Sequence, residues 1–249
     1  MFDICKDKHR SIHTLTGELL LEAMKRLKPQ ATVAMDKSLD CIHYADELVK
    51  IFGDRIRFLF VIRDPRAQIN SMNKAIIHEF STLANALIWK DNYTKALNLM
   101  EAYPDKTLKF SFEEFIYKEK ETIQKVCDFL EIPFEEKMID ITQSAEAKEL
   151  HTMSKLWESN FSAPIVSNID KFKKELSAED INVIESICGE LMDKLGYQRI
   201  NESSQNITEE QIKKSLEESA TKRKEEWAIL EYDDKEDYER RIKRAKYIE

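Results

Sequence analysis

The sequence FLFVIRDPRAQINSM (58–72) decides the fold of this chain. Its first five residues are unbroken apolar, which is typical of a strand buried on both faces of a parallel sheet. Asp64 is then a favourable N-cap, and Pro65 is a favourable first residue of a helix. We therefore predict a strand over 56–62 that leads directly into a helix running to about His78.

Segments on either side of this stretch alternate between helix and strand character. Apolar spacing and flanking Pro or Gly residues predict helices over 12–27, 43–52, 80–102, 119–130 and 178–195. Two further β-prone runs are predicted as strands over 32–35 and 107–112. The alternation indicates an α/β fold with a parallel sheet flanked by helices.

Composition and charge argue against several classes of function. With 249 residues the chain is long enough for one α/β domain, and its net charge of −8 argues against a general nucleic-acid binder. The longest apolar run is too short for a membrane span, and the first residues lack the apolar core of a signal peptide. Four scattered cysteines without a C-x-x-C pair argue against a zinc site and favour reduced thiols. We therefore expect a cytoplasmic protein.

Glycine is scarce. The only glycines are Gly17, Gly53, Gly189 and Gly196, and no two are close enough to form a phosphate-cradling loop. A nucleotide site in this sequence must therefore work without a glycine-rich loop, or such a loop is missing.

Charged residues follow two of the predicted strands. Arg63 comes directly after the strand over 56–62, at the start of a helix whose first N–H groups favour an anion. Ser71 lies two helical turns further and could donate its hydroxyl to the same anion. Asp36 and Lys37 follow the strand over 32–35. The alternative is that these residues are ordinary capping and surface groups, and the pattern alone leaves both open.

The C-terminal part differs from the rest in its high density of mixed charges. Polar residues over 201–206 indicate a linker, and Thr208 with Gln211 forms a capping box for the next helix. We interpret 1–200 as an α/β domain and 201–249 as a charged helical extension. Its apolar residues form only a narrow stripe that includes Leu216, so we interpret it as a surface helix or partner-binding arm rather than part of the core. The alternative is a solvated helix packed on the domain.

Several segments, in order, resemble the sulfotransferase superfamily over about residues 30–200. FLFVIRDPRAQINSM resembles the family's 3′-phosphate-binding segment, in which a serine stands eight residues after the arginine of Arg-Asp-Pro. AMDKSLD (34–40) resembles the family's Asp/Glu-Lys-Ser/Thr-Pro element, with Leu39 in place of proline. LKFSFEEFIYKEKETIQKVCDFLEIPF (108–134) resembles its strand, "YEDL"-like turn and following helix, and IDKFKKELSAEDINVIESICGELMDKLGY (169–197) its C-terminal helix.

This resemblance implies a P-loop-NTPase-like fold and transfer of a sulfuryl group from PAPS, the nucleotide sulfate donor, to a hydroxyl or amine. The acceptor would be a carbohydrate, lipid or small molecule, and the transfer would need no metal. Arg63 and Ser71 would bind the donor's 3′-phosphate, while Asp36 and Lys37 would lie near the donor or acceptor. The family's first strand and its loop for the 5′-phosphosulfate are not visible in this sequence, so we expect an N-terminally incomplete domain.

The sequence leaves the catalytic base unassigned. His43, His78 and Glu79 are geometrically possible bases, but each also suits a packing or surface role. Three functions therefore stay open: a sulfotransferase, whole or truncated, a non-catalytic relative that binds a nucleotide or a protein partner, and a kinase-like protein. The third ranks last because it needs the same loop together with Mg²⁺ ligands.

Overall fold

The computed structural model describes residues 12–37, 40–75, 77–145, 147–149, 161, 165–201, 205–230, 235–236 and 239–240. Within these ranges, β1 (Phe58–Ile62) and β2 (Thr107–Ser111) pair as a parallel two-stranded sheet flanked by helices. The helices are α1 (Ile12–Leu27), α2 (Ala45–Phe52), α3 (Pro65–Met72), α4 (Thr82–Ala102), α5 (Phe112–Tyr117), α6 (Glu119–Leu130), α7 (Phe172–Glu175), α8 (Ala178–Leu195) and α9 (Glu209–Ala228). The predicted α/β class is confirmed. No helix in these ranges has the length and apolar character that crossing a membrane requires.

The strand predicted over 32–35 is wrong. These residues form irregular backbone, and the side chain of Met35 is 78% exposed. β-prone residues become a strand only when their side chains pack against neighbouring strands or a covered face, and this run buries neither Val33 nor Met35. The expectation that β1 is buried on both faces is also wrong in one respect, because Val61 is 54% exposed.

Helix α3 begins as predicted but ends earlier. Asp64 caps its N-terminus and Pro65 is its first residue, whereas the helix stops at Met72 rather than near His78. The next side chain, Asn73, is tied to the start of α4. Its amide donates to Thr82 Oγ1 (2.9 Å), and its carbonyl accepts from the Asn85 amide (2.8 Å). These bonds favour a turn at this point over another turn of helix.

The chain divides into two compact units. The first comprises Met1–Phe60 and Lys95–Leu108, and the second comprises Val61–Thr94 and Lys109–Glu249. The first unit has a small apolar core, whose buried members are Ala45, Phe58 and Leu99. The predicted domains, 1–200 and 201–249, follow a different boundary and stay a prediction.

In the second unit, α3 packs against α7 and α8. Helix α8 begins at the predicted capping box of Ser177 and Asp180 and ends at Gly196, whose φ of 84° is favoured by glycine. The predicted apolar face of α8 is confirmed by its buried members Ile184, Cys188 and Leu191. This packing supports the helix that follows β1.

Helix α9 packs on its own unit through a polar face. Its predicted capping box is confirmed, but Leu216 of the predicted apolar stripe is 44% exposed. The buried side chain is instead Ser219, which donates to Glu79 Oε2 (2.6 Å) and accepts from the backbone N–H of Phe80 (2.8 Å). A hydroxyl and a carboxylate therefore hold this helix, and Leu216 lies at the surface.

Candidate functional site

The turn between β1 and α3 places Arg63 at the carboxyl end of a strand and just before the start of a helix. The side chain of Asp64 accepts a hydrogen bond from the backbone N–H of Arg66 (2.9 Å), and Pro65 needs no N–H partner. The turn therefore has the short and well-capped form that the sequence predicts. Ligands of open α/β sheets bind at this end of the strands.

Contacts hold the side chain of Arg63 without using all of its donors. Its guanidinium carbon lies 4.2 Å from the centre of the Phe112 ring, and Nη2 donates to the carbonyl of Asn168 (2.9 Å). Nε is buried and has no hydrogen-bond partner within the described part of the chain. Burial lowers the pKa of Arg63, while the carboxylate of Glu113 acts in the opposite direction. Because arginine stays charged in proteins, this arrangement offers a held cation with an unused donor.

Two side chains also hold the backbone of this turn. The hydroxyl of Tyr93 accepts from the N–H of Arg63 (3.0 Å) and donates to Gln68 (2.9 Å). Glu113 Oε1 accepts from the N–H of Asp64 (3.2 Å), and its Oε2 accepts from the hydroxyl of Tyr197 (3.0 Å). Burial raises the pKa of Tyr93 to about 12 and also raises that of Tyr197, so both phenols stay protonated at neutral pH.

Arg66, the second arginine of the turn, is buried and forms ion pairs inside the protein. Its guanidinium donates to Asp64 Oδ2 (2.6 Å) and to Glu185 Oε1 (2.7 Å), and it lies over the ring of Phe172. Glu185 is 2% exposed and also accepts from the backbone N–H of Ile200 (2.9 Å). This buried ion network fixes α3 against α8 and leaves Arg63 as the arginine available for a ligand.

Ser71 lies on the last turn of α3 and is exposed. Within the described residues, it makes no hydrogen bond to Arg63, whose bonds go to Asn168 and Tyr93. The structure therefore leaves the predicted pairing of Arg63 and Ser71 as a prediction.

Asp36 and Lys37 are both exposed and lie in the irregular segment of the first unit. Their predicted place at the end of a strand is wrong, because no strand forms over 32–35. Ser38 and Leu39, which belong to the same sequence element, lie outside the described residues. Any role for Asp36 and Lys37 in a site stays a prediction.

A profile of the Sulfotransferase family matches residues 6–136, which is more than half of the chain. The chain belongs to the sulfotransferase family. One solved structure, the "Sulfotransferase Domain from the Curacin Biosynthetic Pathway", is similar with a TM-score of 0.50. Its sequence identity is 16%, and the alignment covers 76% of this chain and 69% of that chain. At this identity the likeness shows a shared fold.

All three possible catalytic bases of this sulfotransferase-family chain make contacts outside the turn of Arg63. Glu79 accepts from Ser219 and forms an ion pair with Arg223 (2.7 Å), and the carbonyl of His78 accepts from Arg223 (3.1 Å). The side chain of Glu79 and the backbone of His78 therefore serve the packing of α9. In the first unit, His43 Nδ1 lies 3.0 Å from Lys95 Nζ. No catalytic base follows from these contacts.

Sequence reasoning missed the residues that hold Arg63. Phe112 and Glu113 lie within the segment that resembles the family's "YEDL"-like turn, so the resemblance pointed to their position. Tyr197 likewise ends the segment that resembles the family's C-terminal helix. Tyr93 and Asn168 carried no comparable signal, because each reaches the turn from a distant part of the chain. No group of three or more His, Cys, Asp or Glu side chains in the described ranges is arranged to hold a metal.

Proposed function

We propose that this sulfotransferase-family chain binds PAPS and transfers its sulfuryl group to an acceptor hydroxyl or amine, with Arg63 and Ser71 on the donor's 3′-phosphate. The supporting observation is the state of Arg63: a charged guanidinium held against Phe112, with a buried and unpartnered Nε. A guanidinium fork suits the planar pair of oxygens that a phosphate presents. The N-terminus of α3 adds a field that favours the same anion.

The reaction sets what the rest of the site must do. The acceptor oxygen or nitrogen attacks sulfur, the bond between sulfur and the bridging oxygen breaks, and adenosine 3′,5′-bisphosphate leaves with that electron pair. The acceptor's proton passes to a base, and positioning of the two reactants in line supplies much of the rate. In this proposal Asp36 and Lys37 lie near the donor or acceptor, where a lysine can stabilise charge on the leaving oxygen.

The acceptor class is broad in this proposal and includes carbohydrate, lipid and small-molecule groups.

A protein partner on the charged helix α9 is compatible with its exposed apolar side chains, among them Leu216. The cytoplasmic location stays a prediction from the dispersed cysteines.

One observation favours a second candidate, a nucleotide-binding relative that does not transfer sulfate. All four glycines have positions within or at the ends of helices: Gly17 in α1, Gly53 after α2, Gly189 in α8 and Gly196 after α8. None is therefore placed to cradle a 5′-phosphosulfate. An assay for transfer of labelled sulfate from PAPS to a panel of hydroxyl and amine acceptors separates the two candidates.

Thermal unfolding with nucleotides tests the 3′-phosphate assignment. A ligand at 100 times its dissociation constant stabilises the folded state by about 2.7 kcal/mol, which raises Tm by about 5 to 10 °C in a chain of this size. We expect such a rise with adenosine 3′,5′-bisphosphate and a clearly smaller one with AMP. Arg63→Ala should abolish the difference, because it removes the guanidinium that reads the 3′-phosphate.

The matched control is Arg55→Ala, since Arg55 is an exposed arginine outside the turn. Its nucleotide response should equal that of the wild type. Equal shifts of the wild type with AMP and with the bisphosphate would overturn the assignment.

A further inference from the structure

The backbone N–H of Asp64 has an unusual acceptor, the side chain of Glu113. The N–H groups at the start of a helix have no partners within the helix. Here the capping carboxylate of Asp64 accepts from the backbone N–H of Arg66, and it leaves the N–H of Asp64 without a partner in the cap. The N–H of Asp64 itself therefore depends on Glu113 Oε1 at 3.2 Å. This bond controls the peptide that joins Asp64 to Arg63.

From this contact, we propose that Glu113, braced by Tyr197, is a positioning residue that sets the direction in which the Arg63 guanidinium meets the donor's 3′-phosphate. The inference rests on the proposed function, because it concerns the same ligand group. It goes further by assigning selectivity for the 3′-phosphate to a carboxylate that does not itself touch the nucleotide.

Neighbouring residues hold Arg63 at both ends. Phe112 lies under the guanidinium at 4.2 Å, and Glu113, the next residue, holds the peptide that carries it. A shift of the first turn of α5, where both residues lie, would move both contacts together. Rotation of the peptide between Arg63 and Asp64 would swing the long arginine side chain away from the direction that Phe112 and Asn168 define.

Tyr197 fixes the other oxygen of the carboxylate. Its hydroxyl donates to Glu113 Oε2 at 3.0 Å, and burial raises the pKa of Tyr197, so the phenol remains a donor at neutral pH. Tyr197 directly follows Gly196, which ends α8. The bracing therefore connects the turn of Arg63 to the long buried helix of the second unit.

The two oxygens of Glu113 are thus used by an N–H and an O–H, and its charge favours the nearby Arg63 cation without a direct ion pair. This distinction matters for a phosphate site. A carboxylate bonded to the guanidinium would compete with the phosphate, whereas one bonded to the backbone leaves the guanidinium fork for the ligand.

The test compares Glu113→Ala, Glu113→Gln and Tyr197→Phe in the full chain. The measured quantity is the ratio of the dissociation constants for AMP and adenosine 3′,5′-bisphosphate, obtained by calorimetry. Glu113→Ala should reduce this ratio about tenfold, which is the scale of one lost hydrogen bond to a charged group, with AMP affinity nearly unchanged. Glu113→Gln keeps an acceptor for the Asp64 N–H and should keep the ratio within about threefold.

Tyr197→Phe should give an intermediate fall in the ratio, because it removes the brace and keeps the carboxylate. Amide hydrogen exchange at Asp64 should become faster in Tyr197→Phe and in Glu113→Ala but not in Glu113→Gln. The matched control is Glu114→Ala, since Glu114 is the adjacent carboxylate, is 41% exposed and pairs with Lys125 (3.9 Å). It should leave the ratio and the Asp64 exchange rate unchanged.

Each outcome decides the inference. A wild-type ratio near one would overturn the proposed function and this inference with it. A wild-type preference for the bisphosphate that Glu113→Ala retains would overturn the inference alone, as would parallel loss of affinity for both nucleotides. If Glu113→Ala does not fold, an unchanged ratio in Tyr197→Phe has the same meaning.

Discussion

The turn at Arg63 and the segment around Lys37 differ in what holds their charged side chains. The guanidinium of Arg63 lies against Phe112, and two successive backbone N–H groups of the turn are bonded to partly buried side chains. Lys37 and Asp36 are exposed on irregular backbone. Both segments place a cation after a β-prone run, and of the two cations only Arg63 has its side chain held by contacts with other parts of the chain.

The difference shows what turns a charged loop into a binding site. Residues from distant parts of the chain approach the turn of Arg63, among them Tyr93, Glu113 and Asn168. These contacts fix the direction of the guanidinium before a ligand arrives, which reduces the entropy lost on binding. A solvated lysine loses that entropy when it binds.

Removal of Glu185 should have the largest effect on the turn. Glu185→Ala leaves the buried Arg66 guanidinium and two partly buried backbone N–H groups without this acceptor. Loss of one partner from a buried ion pair typically lowers the free energy of unfolding by about 3 to 5 kcal/mol. Urea unfolding followed by circular dichroism measures the change.

The control for this prediction is Glu190→Ala, since Glu190 lies on the same helix and is exposed. Substitutions at such positions usually change the free energy of unfolding by less than about 0.5 kcal/mol. Equal effects of the two variants would contradict the importance of the buried network.

Acid should weaken the contacts between Glu175 and the region of α3, and the resulting loss of stability should be smaller than that caused by Glu185→Ala. Hydrogen bonds from Lys74 and Asn70 on and beside α3 lower the pKa of Glu175 from 4.5 to about 2. Because the folded-state pKa is the lower one, this contribution to stability is present above pH 4.5 and is lost as the pH falls toward 2. Glu175→Gln should therefore reduce the difference in Tm between pH 6 and pH 3.

Glu179→Gln is the control, because Glu179 is an exposed carboxylate on the neighbouring helix α8. Its acid dependence should match that of the wild type. If Tm of Glu175→Gln depends on pH as steeply as Tm of the wild type, the pairing of Glu175 does not contribute to stability.

The smallest effect on stability is expected at Lys37. Lys37→Ala removes an exposed side chain from irregular backbone, so the free energy of unfolding should change by less than about 0.5 kcal/mol. If Lys37 acts on the leaving group, sulfuryl transfer should fall while stability and binding of the bisphosphate stay unchanged. A large fall in Tm would show that this segment is as firmly held as the turn of Arg63.

Local signals predicted much of the secondary structure. The start of α3 at Asp64 and Pro65 and the ends of α8 at Ser177 and Gly196 depend on neighbouring residues, so they were readable from the sequence. The strand over 32–35 failed because strand formation needs partners that a short run does not reveal. The predicted end of α3 was wrong for a similar reason, because the side chain of Asn73 is hydrogen-bonded to residues of α4 that lie further along the chain.

The polar face of α9 shows the same limit. Hydrophobic spacing identified a narrow stripe that includes Leu216 but gave no sign of Ser219, which is the buried residue of this helix. The reason is a specific set of partners, the carboxylate of Glu79 and the N–H of Phe80, which satisfy the serine hydroxyl. Such partners depend on three-dimensional neighbours that periodicity alone does not contain.

By itself, the sequence determined the positions of the strand, the turn and the capped helix that carry Arg63, because an unbroken apolar run and the capping pair Asp64 and Pro65 are local signals. The ordered motifs also determined the family. Only the tertiary structure decided which arginine of the turn forms buried ion pairs: Arg66 is bound to Asp64 and Glu185, while Arg63 retains an unused donor. The physical reason is that both arginines carry the same charge, and their roles depend on the carboxylates and rings that folding brings to each.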